Sequence, residues 1–120
     1  MSLRQKQSIF AFLSARLMIF MNENGYEYTY GETYRSPEEA ARLVKLYKAG
    51  KGPKATLNSL HSKKLAIDLN LFKDGKYLAT TEAHRIFGEW WERQHINCRW
   101  GGRYGDGNHY EFLEKPRTIN

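Results

Sequence analysis

Cysteine occurs once, as Cys98, which excludes an internal disulfide framework and any Cys-rich zinc finger or ribbon. A metal, if one is held, must be held by histidine and carboxylate. Proline is scarce, at 3 of 120 residues, and no repeat, low-complexity tract or linker divides the chain. Long apolar runs are missing too: the stretch from Ile9 to Met21 is interrupted by Arg16, and a bilayer span takes about 20 apolar residues. This predicts a chain without stable membrane insertion, made in the cytoplasm and carrying no visible signal peptide. Acidic residues are in deficit, 13 against 19 Lys and Arg, so the net charge is +6. Such a surface favours anionic partners, among them nucleic acid, acidic lipid and bacterial cell-wall polymer, and charge alone does not choose between them.

What is present is patterned. At 120 residues with 41% hydrophobic and 27% charged side chains, the composition is that of one folded domain covering residues 1–120. Phe10, Leu13, Leu17 and Phe20 recur at three- and four-residue intervals and line the inner face of a first helix, which glycine closes at Asn24-Gly25. Tyr26, Tyr28 and Tyr30 alternate with Glu27 and Thr29, which predicts a strand with three packing rings on one face. Ser36-Pro37-Glu38-Glu39 starts a second helix running to about Ala49, with Ser36 as cap and Glu39 returning a bond to it. Gly50 to Lys54 is a basic surface loop of the kind that borders clefts. Leu65 to Phe72 reads as a strand, and Asp74-Gly75 turns it into Tyr77-Leu78-Ala79 as a hairpin. Thr81 caps a third helix over about Glu82 to Arg93, with Ile86 and Trp90 on its inner side. A glycine-rich turn from Trp100 to Gly107 leads to a last strand at His109 to Leu113. The fold class is therefore α+β, with helices packed on a small, mainly antiparallel sheet.

Two of the four histidines keep carboxylate company. His61 ends a loop before a strand that carries Asp68, and His109 opens another strand three residues after Asp106. Two histidines and a carboxylate form a common catalytic zinc set because they leave a fourth position open for water. A further carboxylate, here Asp106, then serves as proton acceptor. The same residues read equally as polar loop groups that cap and hydrogen bond, since four histidines and thirteen acids supply many chance triplets. His84 and His95 read as packing or surface residues, Trp90 as core, Trp100 as a cleft wall, and Cys98 as a small buried hydrophobe.

The stretch Ser59-Leu60-His61-Ser62-Lys63-Lys64-Leu65-Ala66-Ile67-Asp68 resembles the S-x-H-x-x-G-x-A-x-D motif of the D-alanyl-D-alanine carboxypeptidase (VanY-like) zinc peptidases. Trp100-Gly101-Gly102 followed by Asp106-Gly107-Asn108-His109-Tyr110-Glu111-Phe112 is similar to that family's W-G-G and D-x-x-H-[FWY]-E ending. Gly31-Glu32-Thr33-Tyr34-Arg35-Ser36 resembles its G-E-x-Y-R-[ST] segment, and the matches follow family order from about Leu17 to Phe112. Lys64 departs from the pattern, standing where the family has glycine.

The resemblance implies a Hedgehog/DD-peptidase-like fold with a single zinc site. It implies that His61, Asp68 and His109 hold Zn2+, that Asp106 is the catalytic carboxylate, and that Arg35 is a substrate-side arginine that stabilises the oxyanion or clamps a substrate carboxylate. The plainer role for Arg35 is an ion pair with Glu38 or Glu39. Ser59 is read as a hydrogen-bonding group that orients a ligand or its loop. The implied partner is the peptidoglycan stem peptide rather than nucleic acid, the implied state a monomer without a separate wall-binding domain. Short phage lytic enzymes of the L-alanyl-D-glutamate peptidase type share this size, so the L-Ala-D-Glu bond is the expected target, with D-Ala-D-Ala or a cross-bridge as alternative. Such an endolysin stays cytoplasmic until a membrane pore or lysis releases it to the wall. Two other readings stand beside this one: a two-His, one-carboxylate iron oxygenase, and a non-catalytic basic module that binds wall polymer or nucleic acid.

Overall fold

The apolar spacing near the N-terminus forms a helix longer than the apolar run itself. In the computed structural model, which describes residues 1–118, α1 spans Leu3–Glu23, opened by a capping box between Ser2 and Gln5. It buries Phe10, Leu13, Leu17 and Met21 and ends at Asn24, with Gly25 in the left-handed region at φ 82°. No helix among the described residues is long and apolar enough to cross a membrane.

The sheet is built around β2, Ala66–Lys73. One edge of β2 pairs antiparallel with β1, Glu27–Tyr30, and its Leu71 and Phe72 also face β3, Lys76–Leu78, across the other edge. On that other edge Ala66 to Asp68 pair with β5, His109–Phe112, which in turn pairs with β4, Cys98–Trp100. All four pairings are antiparallel. The β2–β3 turn uses Asp74 and Gly75, both at positive φ, the backbone that a tight right-twisted hairpin requires.

Alternation along the strands sorts the chemistry. Ile67, Leu69 and Leu71 of β2 and Tyr110 and Phe112 of β5 enter the core with the α1 face, Phe87 and Trp91. Asp68, His109 and Glu111 then fall on the opposite face, because successive side chains of a strand point to opposite sides. Each fully buried large apolar side chain contributes about 1.5–3 kcal/mol, so this core is what holds the polar face in place.

Several expectations are corrected. α2 spans Pro37–Lys48 and Ser36 Oγ accepts from the Glu39 N–H, but the Glu39 carboxylate binds Arg42 rather than returning to the cap. Tyr26 and Tyr28 pack on the core, whereas Tyr30, at the end of an edge strand, is 61% exposed. The third helix opens as a 3-10 turn, Glu82–His84, and continues as α3, Arg85–Gln94. Thr81 makes no capping bond; the Ala83 N–H donates to Thr80 Oγ1 instead. The inner face of α3 is Phe87, Gly88 and Trp91, one residue out of phase with the pair Ile86 and Trp90. Ile86 is exposed, and Trp90 is half-buried, stacked on Phe20 with ring centroids 4.9 Å apart. Trp100 is not a cleft wall: it is buried, and its indole N–H donates to Gly107 O at 2.7 Å. His84 and Cys98 are packing residues, both buried, and burial pushes the Cys98 thiol up to about 12.

Candidate metal centre

Three backbone segments bring the site together. Ser59 caps the 3-10 turn Leu60–Lys63 by accepting the His61 N–H on its hydroxyl, so its role is to fix the loop that carries His61. Asp68 lies within β2 and is the direct cross-strand partner of His109 in the β2–β5 ladder. Beyond the end of β1, Gly31 N–H donates to Asp68 O, and Asp68 N–H donates to Glu32 O, which holds the Glu32 segment against the same point. Gly101 lies so close to this point that a Cβ there would stand 2.3 Å from Asp106 O and 2.8 Å from His109 Cβ. A side chain at residue 101 would displace the strand entry that carries His109.

His61, Asp68 and His109 converge, each offering a ligand atom within 4.8 Å of the others. Asp68 Oδ1 is 2.9 Å from His109 Nδ1 and 3.4 Å from His61 Nε2. An ion bound tetrahedrally by N and O at about 2.0–2.2 Å spaces its ligands by roughly 3.3–3.6 Å; the Asp68–His61 spacing falls in that range, while Asp68 and His109 stand closer, in direct hydrogen bond. The polar groups agree. Among the described residues, Nδ1 of buried His61 has no hydrogen-bond partner, so the ring's polar contacts all lie on the convergent side. Two imidazoles and a carboxylate facing one another call for positive charge between them. Burial works to lift the Asp68 carboxyl, yet hydrogen bonds from His109 and His61 hold it down at about 2. Burial likewise works to depress His109, and its bonds to Asp68 and Glu111 raise it instead to about 9. The donor set therefore fits a divalent cation of the zinc type, which His61, Asp68 and His109 would hold.

His61 and His109 line a cleft of about 870 Å³ together with Arg35, Lys54, Arg99, Tyr104, Asp106 and Glu111. The Gly50 to Lys54 loop does border the cleft, through Pro53 and Lys54. Burial above all raises the Asp106 carboxyl; the charge of His109 opposes this, while Asp68 and Glu111 add to it. A carboxylate of raised proton affinity at the edge of a metal site is suited to accept and return a proton. Arg35 also faces the cleft, but its ion pair is with neither Glu38 nor Glu39: its Nε and a terminal nitrogen donate to the two oxygens of Glu32, at 3.1 and 2.5 Å. Glu32 Oε1 in turn stands 3.5 Å from His61 Nε2.

Two acidic residues of the site were given no role by the sequence. Glu32 meets His61 through long-range backbone bonds, those of Gly31 and Glu32 with Asp68 and that from Arg35 N–H to His61 O, which no local pattern announces. Glu111 was legible in principle: it stands two residues after His109 on one strand, so the two side chains share a face.

No family model matches the chain, and no curated protein matches it in sequence. Solved structures do. The L-Ala D-Glu endopeptidase ChiX of Serratia marcescens superposes with a TM-score of 0.56 at 19% identity, over 72% of this chain and 67% of that chain. A mutant of the vancomycin-resistance D,D-pentapeptidase VanY from a VanB-type cassette, in complex with Zn(II), gives 0.56 at 17% identity, over 87% and 70%. VanYB in complex with D-alanine-D-alanine gives 0.53 at 18% identity, over 87% and 69%. The fold of this chain is thus the VanY-like α+β fold.

Proposed function

We propose that the chain is a zinc-dependent peptidoglycan peptidase that hydrolyses an amide bond of the stem peptide, with the L-Ala-D-Glu bond as its target. The observation that carries this reading is the convergence of His61, Asp68 and His109 beside a cleft that His61, His109 and Asp106 line. The fold it shares with an L-Ala D-Glu endopeptidase and with a zinc-bound D,D-pentapeptidase supports the reading. When bound, zinc supplies a Lewis acid that polarises a carbonyl and acidifies water. Asp106 takes the proton of the attacking water and hands it to the departing amine. Arg35, oriented by Glu32, presents its remaining N–H groups to the carbonyl oxygen as negative charge develops there. The net charge of +6 suits a wall polymer rich in carboxylates. As a phage or prophage endolysin it acts after a pore or lysis brings it to the wall. The second reading, a D-Ala-D-Ala carboxypeptidase, draws on the likeness to VanYB in complex with D-alanine-D-alanine.

Incubation with defined muropeptides followed by mass spectrometry separates the two. Cleavage between L-Ala and D-Glu is the expected result; loss of terminal D-Ala moves the assignment to the carboxypeptidase, and intact muropeptides contradict both. Asp106→Asn should lower hydrolysis by roughly 100-fold or more while leaving zinc content and the circular dichroism spectrum unchanged. Retained hydrolysis by that variant would remove Asp106 from the proton-transfer role; a wild type that binds the polymer without cutting it, and binds equally well as Asp106→Asn, would instead make the chain a wall-binding module.

A further inference from the structure

Glu111, Arg99 and Tyr104 stand beside His109 along the same cleft, and the reaction above gives them no task. Glu111 is buried, 4% exposed, two residues after His109 on the same face of β5. Its Oε1 lies 2.6 Å from His109 Nε2, on the side of the ring away from Asp68, and 3.4 Å from the Tyr104 hydroxyl. Its other oxygen accepts from Arg99 Nε. The ladder explains the arrangement: Glu111 stands directly between Ala66 of β2, too small to compete for the space, and Arg99 of β4. Glu111 is poorly placed to be a metal ligand itself, since a cation at its carboxylate would sit against the Arg99 guanidinium.

We propose that Glu111, braced by Arg99, is the positioning carboxylate of the metal centre, which accepts a hydrogen bond from His109 Nε2–H and so leaves Nδ1 with the lone pair that faces Asp68 and the ion. This rests on the metal reading above. A carboxylate on the outer nitrogen of a metal-bound imidazole fixes both tautomer and ring orientation, and removing it typically weakens metal binding by 10- to 100-fold. Arg99, although it lines the substrate cleft, acts in this account through Glu111 rather than on the substrate.

The test is zinc affinity of the full chain, measured by competition with a chromophoric chelator, joined to nitrogen NMR of the imidazoles in the zinc-loaded protein. Wild type should bind one zinc with His109 protonated at Nε2. Glu111→Gln, which keeps the shape and an acceptor oxygen, should weaken zinc by about 10-fold, and Glu111→Ala by about 100-fold with loss of the single Nε2–H signal. Arg99→Met should weaken it by several-fold, although that variant leaves all three ligands in place. If Glu111→Ala fails to fold, Glu111→Gln and Arg99→Met carry the test. Affinities within twofold of wild type in both overturn the proposal. Absence of zinc from the wild-type protein is a different result: it overturns the metal reading on which the proposal stands.

Discussion

Lys64 shows how a single residue holds the geometry of the site at a cost. It closes the 3-10 turn that carries His61, with φ 57° and ψ 39°, in the left-handed region, at the position where the VanY-like pattern has glycine. The turn takes a lysine in this left-handed position, and its ammonium lies 5.5 Å from the centre of the Tyr34 ring. Left-handed backbone costs a side chain about 1–2 kcal/mol, and glycine gives back roughly 0.5–1 of that through its freer unfolded state. Lys64→Gly should therefore stabilise the chain by up to about 1 kcal/mol, a rise of a few degrees in Tm by thermal denaturation; a fall in Tm contradicts this account. At this scale residue type and spacing left His61, Asp68 and His109 open between a metal set and polar loop groups; the motif that contains them singled them out, and they do converge. Glu32 and Arg35 were harder because their pairing depends on how the backbone beyond β1 docks on β2, a long-range contact.

Elements with strong local chemistry were readable, and those defined by their neighbours were not. The α1 stripe, the Ser36 cap and the Asp74-Gly75 hairpin each follow from a few adjacent residues. β4 has only three residues and owes its existence to pairing with β5. The face of α3 was ambiguous because Ile86/Trp90 and Phe87/Trp91 share the same four-residue spacing, and what decides between them is Gly88. A Cβ on Gly88 would stand 2.0 Å from Cδ2 of Trp100, so the helix seats on the indole only through glycine. Gly88→Ala should destabilise by about 1–3 kcal/mol through overpacking, with a lower Tm and a weakened near-ultraviolet signal from Trp100. Unchanged values in both would show that α3 does not depend on this contact.

For the whole molecule, the sheet separates an apolar core from a charged working face, and one core histidine links the two through β5. His84 is buried, with its Nδ1 2.8 Å from the Tyr110 hydroxyl, and burial lowers it to about 4 from the ordinary 6.5. An imidazole of depressed pKa contributes nothing adverse above pH 6.5. As pH falls from 6.5 toward 4 the unfolded chain takes up a proton that the fold refuses, so stability is lost, by up to about 3 kcal/mol. His84→Gln should flatten that part of the stability curve, as followed by denaturant titration at each pH; an identical slope in the variant would assign the loss to other groups. Charge balance and the α+β class were visible at this scale from composition and order. The convergence of residues 61, 68 and 109 was visible only through motif, since nothing local dictates that a loop, a central strand and the start of a late strand meet. The most direct measurement is therefore a crystal grown with zinc and recorded on both sides of the zinc absorption edge. One anomalous peak within about 2.0–2.2 Å of His61 Nε2, Asp68 Oδ1 and His109 Nδ1 is the predicted result. An ion bound elsewhere, or none at this point with the three side chains turned apart, would contradict it.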